Sequence, residues 1–237
     1  MSTVWNTGPA DAEALLATPL PLLVLEVARD PVTGRVRPRS RLCYAVRGAA
    51  LAQLLIAGRL RDEGGRAVPV AGPEGPYLGR TVEAVAAELA RSAPRSWKYW
   101  VRSRALRTFD GATDELVDEG VWRSTRAGLL GRSLPRFSGG EERTEVLRAA
   151  LRTALLSDGD QPVDVRLAVV AAVLDASRSL GVVVSRAERP TAHRRAQALA
   201  NGPAEAVGEV VRDALVAVVA ATTSVSVVVM GAGSGGS

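Results

Sequence analysis

Arginines dominate the residues of this sequence that could do chemistry. Arg35, Arg37, Arg39 and Arg41 alternate ahead of an apolar segment. In extended backbone alternate residues point the same way, so several of these guanidiniums can share a face. Arg47 follows inside the apolar segment, and Arg102, Arg104 and Arg107 crowd the stretch after Trp97, Tyr99 and Trp100. The spacing of Arg104 and Arg107 places both on one helical face. Planar, forked guanidiniums suit phosphate groups, and several converging make a headgroup site. The plainer alternative is a solvated basic loop with charges on helix faces. Arg47 does not fit that alternative, because Leu42 to Ala57 is otherwise almost wholly apolar. Burying a guanidinium there is expensive unless the charge reaches water or meets an anion.

Other chemistry finds little support. The single histidine, His193, sits among arginines with no second histidine or cysteine from which to build a zinc site. No Gly-x-Ser-x-Gly elbow accompanies it, so a solvated histidine near a helix start is expected. No phosphate loop and no dinucleotide fingerprint is present. Asp158 and Asp160 in Ser-Asp-Gly-Asp have too few oxygen ligands nearby for a metal site. Neither an enzyme, nor a cofactor, nor a metal is expected.

Helices must position the arginines. Residues 1 to 18 form a loose leader with one short helix around Asp11 to Ala17, then Leu20 to Val27 is a compact apolar piece. Asp30 to Gly34 is a turn, and the Leu42 to Ala57 helix follows with Ser40 as N-cap and Gly58 as stop. Arg59 to Arg61 and Arg66 to Val70 flank Gly64-Gly65 as a hairpin. Helices are predicted from about Thr81 to Arg91 and from Ser96 to Arg107. The helix-then-hairpin order recurs: Asp114 to Glu119 ends in Gly120, and Val121 to Arg123 and Gly128 to Leu130 flank a polar turn. Beyond Gly140 the chain is helical over Glu141 to Leu156, Val163 to Leu180, Ala192 to Ala200 and Ala204 to about Met230. The expected fold is mainly α: one globular helical domain over 19–230 with two small β-hairpins, ending in a Gly/Ser tail over 231–237.

Composition sets wider bounds. A chain of 237 residues can bury a substantial core. The net charge of +5 is modest, compatible with an anionic surface as partner but too small to mark a nucleic-acid binder. Lys98 is the only lysine. The lone Cys43 excludes an intramolecular disulfide and fits a reducing, cytoplasmic setting; its place in the apolar helix suggests a small buried hydrophobe. No secretory signal is expected at the N-terminus. Ala214 to Met230 is apolar enough to weigh as an anchor, but a last buried helix is preferred.

Three stretches together resemble the Golgi phosphoprotein 3 family. They are Leu20 to Ala28, Asp30 to Gly34, and Val46-Arg47-Gly48 running on to Gly58-Arg59-Leu60. Asp114 to Val121 is similar to the family's leucine-valine-x-x-glycine-valine element. The likeness extends from about Pro19 to Val229 and is strongest to the shorter homologues carried by actinobacteria. It implies a mostly helical domain on the cytosolic face of membranes. Eukaryotic members bind phosphatidylinositol 4-phosphate through a tryptophan and three arginines and hold glycosyltransferase tails in the Golgi. Arg47 matches the arginine before the glycine of the first helix. The tryptophan position falls near Pro38, with Tyr44 an unaligned stand-in. The other two arginine positions fall at Leu106 and Phe109, while Arg104 and Arg107 keep the spacing two residues early.

The expectation is a peripheral membrane protein, cytoplasmic and membrane-associated, that holds anionic phospholipid through Arg47, Arg104, Arg107, Arg39 and Arg41. A protein adaptor is the first alternative, with a protein client or self-association through the hairpin apolar tip of Trp122, Leu129 and Leu130. A winged-helix-like DNA-binding module is the second. The Leu42 to Ala57 helix is too apolar to face a groove, so nucleic acid is not an expected partner.

Overall fold

Apolar residues surround the circumference of one helix, and the rest of the fold covers it. The computed structural model describes residues 17–36, 40–70, 76–125, 135–157 and 163–200. Helix α1, Leu20–Ala28, leads to α2, Ser40–Ile56, in which thirteen residues from Leu42 to Leu55 are buried. A helix apolar on all sides belongs at the centre of a fold. The later helices are α3 Arg80–Ala90, α4 Trp97–Arg102, α5 Ala105–Asp118, α6 Glu141–Leu156, α7 Val165–Ala176 and α8 Arg189–Ala200. Helix α2 packs against α1, α3, α4, α5 and α7. One half of the core gathers α1 and the N-terminal half of α2 with α5 to α8. The other gathers the end of α2 with α3, α4 and the first hairpin. The fold is mainly α with small hairpins, as the sequence predicts.

Helix α2 stops in a Schellman turn. Gly58 takes φ +68°, its N–H donates to Leu55 O, and Arg59 N–H donates to Leu54 O, both at 2.9 Å. The chain then forms β1 Leu60–Glu63 and β2 Arg66–Pro69 around Gly64-Gly65, and β3 Arg95–Ser96 extends them to a three-stranded antiparallel sheet. Polar residues in the core tie helix ends that cannot cap themselves. Gln53 Oε1 accepts the Leu20 N–H at 2.6 Å at the start of α1. Gly79, before α3, offers no side-chain cap, and the buried Glu115 of α5 accepts the Arg80 and Thr81 N–H groups at 2.7 and 2.8 Å instead. At the other end of α1, Arg148 Nη2 donates to Val27 O and Arg29 O.

Several elements differ from the sequence reading. The apolar piece after Pro19 is a helix. The predicted helix over Ser96 to Arg107 is two helices, α4 and α5, because Ser103 turns extended at ψ 124° and Arg104 then takes a left-handed conformation with φ +51°. The short Asp114 to Glu119 helix is the end of the longer α5. In the second hairpin β4, Arg123–Thr125, pairs with β5, Arg136–Ser138, a strand the sequence does not predict; the predicted Gly128 to Leu130 strand lies outside the described residues. The predicted Val163 to Leu180 helix ends at Ala176 and is followed by a 3-10 turn, Leu180–Val182. The predicted helices Asp11 to Ala17 and Ala204 to Met230 lie at or beyond the edge of the described residues. Among those described, no helix is long and apolar enough to cross a membrane.

Cys43 lies buried within α2, and burial with the nearby Asp110 charge pushes its thiol up to about 11. The thiolate is the reactive form. The native protein is therefore expected to resist iodoacetamide at pH 8 for hours, and the urea-unfolded protein to label within minutes. Mass spectrometry checks both, and rapid native labelling would contradict the burial.

Candidate functional site: arginines at the junction of α4 and α5

Arg47 is buried beneath the place where α3, α4 and α5 meet, its side chain 1% exposed. Its Nε donates to Trp100 O at 3.1 Å and its Nη1 to Thr108 Oγ1 at 3.1 Å. Its Nη2 lies 3.1 Å from Glu88 Oε2 in an ion pair. A continuous helix would have given the Trp100 carbonyl to the Arg104 N–H. Ser103, extended at φ −63° and ψ 124°, turns that N–H away and ends α4, and Arg47 takes the freed carbonyl. Burial pulls the guanidinium below its ordinary pKa, with Glu88 opposing that shift and Arg104 adding to it. The anion that the apolar helix demands is thus an internal carboxylate.

Arg104 and Arg107 are the exposed cations of this junction. Arg104, 57% exposed, stands 3.7 Å from Glu88 Oε1, so Glu88 lies between a buried and a surface arginine. Arg107 is in the first turn of α5 and open to solvent. The two do not share a regular helical face, because Arg104 sits at the N-cap, outside the helix. Leu106 is also exposed, whereas Phe109 is buried in the core. On α4, Tyr99 is half-exposed and Arg95 stacks on its ring at 5.7 Å.

The remaining predicted residues lie apart from this junction. Arg39 falls outside the described residues, as do Leu129 and Leu130. Arg41 is half-buried and lines a cleft on another part of the fold, with Arg35, Arg178 and Arg189. Trp122 is not at an apolar tip: its ring is buried 4.9 Å from Phe137, with the Arg29 guanidinium 5.5 Å from its centre. Tyr44 is partly buried and packs against both halves of the core. His193 is exposed, the fifth residue of α8 rather than its start, with Nδ1 2.7 Å from Asp175 Oδ1 and Nε2 3.1 Å from Gln197 Nε2. Among the described residues no group of three or more His, Cys, Asp or Glu side chains could hold a metal ion.

Glu88 and Thr108 are the functional-site residues that sequence reasoning missed. Glu88 looks like an ordinary helix-face charge in α3, and nothing in its neighbours marks it as the partner of a distant arginine.

Comparison with known proteins agrees with this architecture. No curated protein matches the sequence. The profile of the family described as Golgi phosphoprotein 3 (GPP34) matches residues 22–218, most of the chain. The apolar α2 with its arginine, the glycine stop and the helix-then-hairpin order all fall within that span, and the chain belongs to the Golgi phosphoprotein 3 family.

Proposed function

We propose that the protein is a peripheral membrane protein, on the cytoplasmic side, that binds anionic phospholipid headgroups at the junction of α4 and α5. Arg104 and Arg107 supply the exposed guanidiniums, and Arg47 with Glu88 holds the junction from beneath. The observation that carries the reading is Arg104 itself. A non-glycine residue held at positive φ is strained, and here the strain presents a cation on the surface. Family membership supports the same ligand class, of which a phosphatidylinositol 4-phosphate-like headgroup is the sharpest form.

Vesicle co-sedimentation tests the proposal. Phosphatidylinositol 4-phosphate or cardiolipin vesicles should retain the protein better than phosphatidylcholine vesicles, less so as salt rises. Each basic residue near an anionic surface contributes about 1 kcal/mol. Arg104→Gly/Arg107→Ala should therefore weaken retention by roughly 30-fold while leaving the fold intact. Equal binding to all vesicles, unchanged in the double variant, would favour an adaptor that recognises protein instead.

A further inference from the structure

A second group of arginines lies outside the α4–α5 junction. The α1–α2 loop, the first turn of α2, the turn after α7 and the start of α8 enclose a cleft of about 530 Å³. Arg35, Arg41, Arg178 and Arg189 line it, with Asp30 the one carboxylate among the described lining residues. Asp30 Oδ1 already accepts the Val32 and Thr33 N–H groups at 3.0 and 2.7 Å.

Elsewhere in the fold arginines that leave solvent find internal acceptors. Arg47 has Glu88 and Trp100 O, Arg143 has Glu26, and Arg148 has the end of α1. In this cleft none of the four guanidiniums has an ion pair or side-chain hydrogen bond among the described residues. Arg35 and Arg41 are half-buried and Arg178 and Arg189 exposed. The Nε of Arg35 is shut from solvent without a hydrogen-bond partner, as are those of Arg143 and Arg148, but the Arg35 guanidinium has no other bond among the described residues to offset it. Like charges gathered on a concave, low-dielectric surface repel one another and raise the local attraction for an anion.

Two backbone features place these arginines in the cleft. Helix α7 ends in the same Schellman turn as α2: Arg178 N–H donates to Asp175 O at 2.8 Å and Ser179 N–H to Leu174 O at 2.7 Å. The left-handed position is Gly58 after α2 and Gly120 after α5, but Arg178, at φ +59°, after α7. Only two non-glycine residues in the described chain have positive φ, and both are arginines, Arg104 and Arg178, one at each basic group. Glycine would be the unstrained choice at both. Across the cleft the Arg189 guanidinium lies against Gly181, where an added Cβ would stand 2.6 Å from its Nη2. The missing side chain at position 181 makes room for the guanidinium.

The geometry points to a phosphomonoester-binding cleft, in which Arg35, Arg41, Arg178 and Arg189 hold a dianionic phosphoryl group. Guanidinium forks match its oxygens in pairs. A dianion offsets four guanidiniums and one carboxylate better than a carboxylate ligand does, and the volume leaves room for the esterified group. The ester is either a lipid headgroup or a soluble metabolite.

Calorimetric titration with glycerol 3-phosphate and co-sedimentation with phosphatidic acid vesicles, against phosphatidylcholine vesicles, separate the two sources. Saturable binding is expected in at least one arm, identifying the source. Arg178→Gly should weaken it tenfold or more while melting no lower than the parent, since glycine relieves the strain. Gly181→Ala leaves the net charge unchanged but displaces Arg189, and should weaken binding several-fold. Arg104→Gly should leave soluble-ester binding unchanged, and retention on phosphatidic acid should fall further with Arg178→Gly than with Arg104→Gly. The cleft is thereby read separately from the headgroup surface at α4–α5. No binding in either arm, indifference to Arg178→Gly and Gly181→Ala, or equal losses with Arg104→Gly would overturn the assignment.

Discussion

Arg47→Ala is expected to lower the stability of the folded protein by about 3–5 kcal/mol, the cost of removing one member of a buried pair. Three groups lose their partner at once. Trp100 O has no helical donor, Thr108 Oγ1 keeps only the Arg104 carbonyl, and Glu88, 13% exposed, keeps Arg104 at 3.7 Å and the Ser103 hydroxyl at 3.5 Å. The guanidinium's volume is also lost from a closely packed place. Because Arg104 can take over part of the Glu88 charge, the lower end of that range is the better expectation. Urea unfolding followed by fluorescence measures it as a fall in midpoint at unchanged slope. Arg47→Met/Glu88→Met should recover much of the loss, since replacing both ions removes the unpaired charge. A single-variant loss under about 1 kcal/mol, within the range of an exposed ion pair, would mean that Arg47 does not hold these helices together. The same result bears on membrane assays. Weakened vesicle binding by Arg47→Ala would report a loosened junction, so the surface variants at Arg104 and Arg107 are the informative ones.

Trp122→Ala is the second large effect, again about 3–5 kcal/mol. The indole fills the space between α5 and the second hairpin against Phe137 and beneath Arg29. Arg29, itself buried, donates to Gly139 O at 2.7 Å and reaches Glu141 Oε1 at 3.3 Å. Losing the ring would admit water beside that cluster and detach the hairpin from the core. A melting temperature lower by on the order of 10 °C is expected for a protein of this size. Trp122→Phe should cost less, about 1–3 kcal/mol, because the smaller ring leaves part of the space empty while the indole Nε1 that it removes makes no hydrogen bond to the described residues. Sedimentation of the folded Trp122→Phe protein should match the parent. A change of oligomeric state with little loss of stability would instead return Trp122 to the role of an exposed contact residue.

Helix positions were legible in the sequence wherever a local signal repeats. The bounds Glu141–Leu156 of α6 are those that its apolar stripe predicts. The stops at Gly58 and Gly120 and the turn at Gly64-Gly65 follow from glycine's access to positive φ. The break at Arg104 was not legible. Arginine is a good helix former, and the exit of the chain at Ser103 is met by a distant group, Arg47, which takes the carbonyl that the break releases. The strand β5 was not legible for a similar reason. Gly34 O accepts the Phe137 N–H at 2.8 Å, and Arg35 bridges to Arg136, so a contact with the α1–α2 loop helps to set that strand.

The sequence by itself determined that this is a mainly helical protein built around one apolar helix, and that the arginine in that helix needs an anion. Periodicity and glycine stops are local, so they survive without knowledge of the packing. Tertiary structure alone decided that the anion is Glu88, that Arg104 and Arg107 are the cations left outside, and that Arg41 joins Arg35, Arg178 and Arg189 in another cleft. Which charges neutralise one another and which remain open depends on the docking of helices distant in the chain, and no spacing within a single helix encodes that.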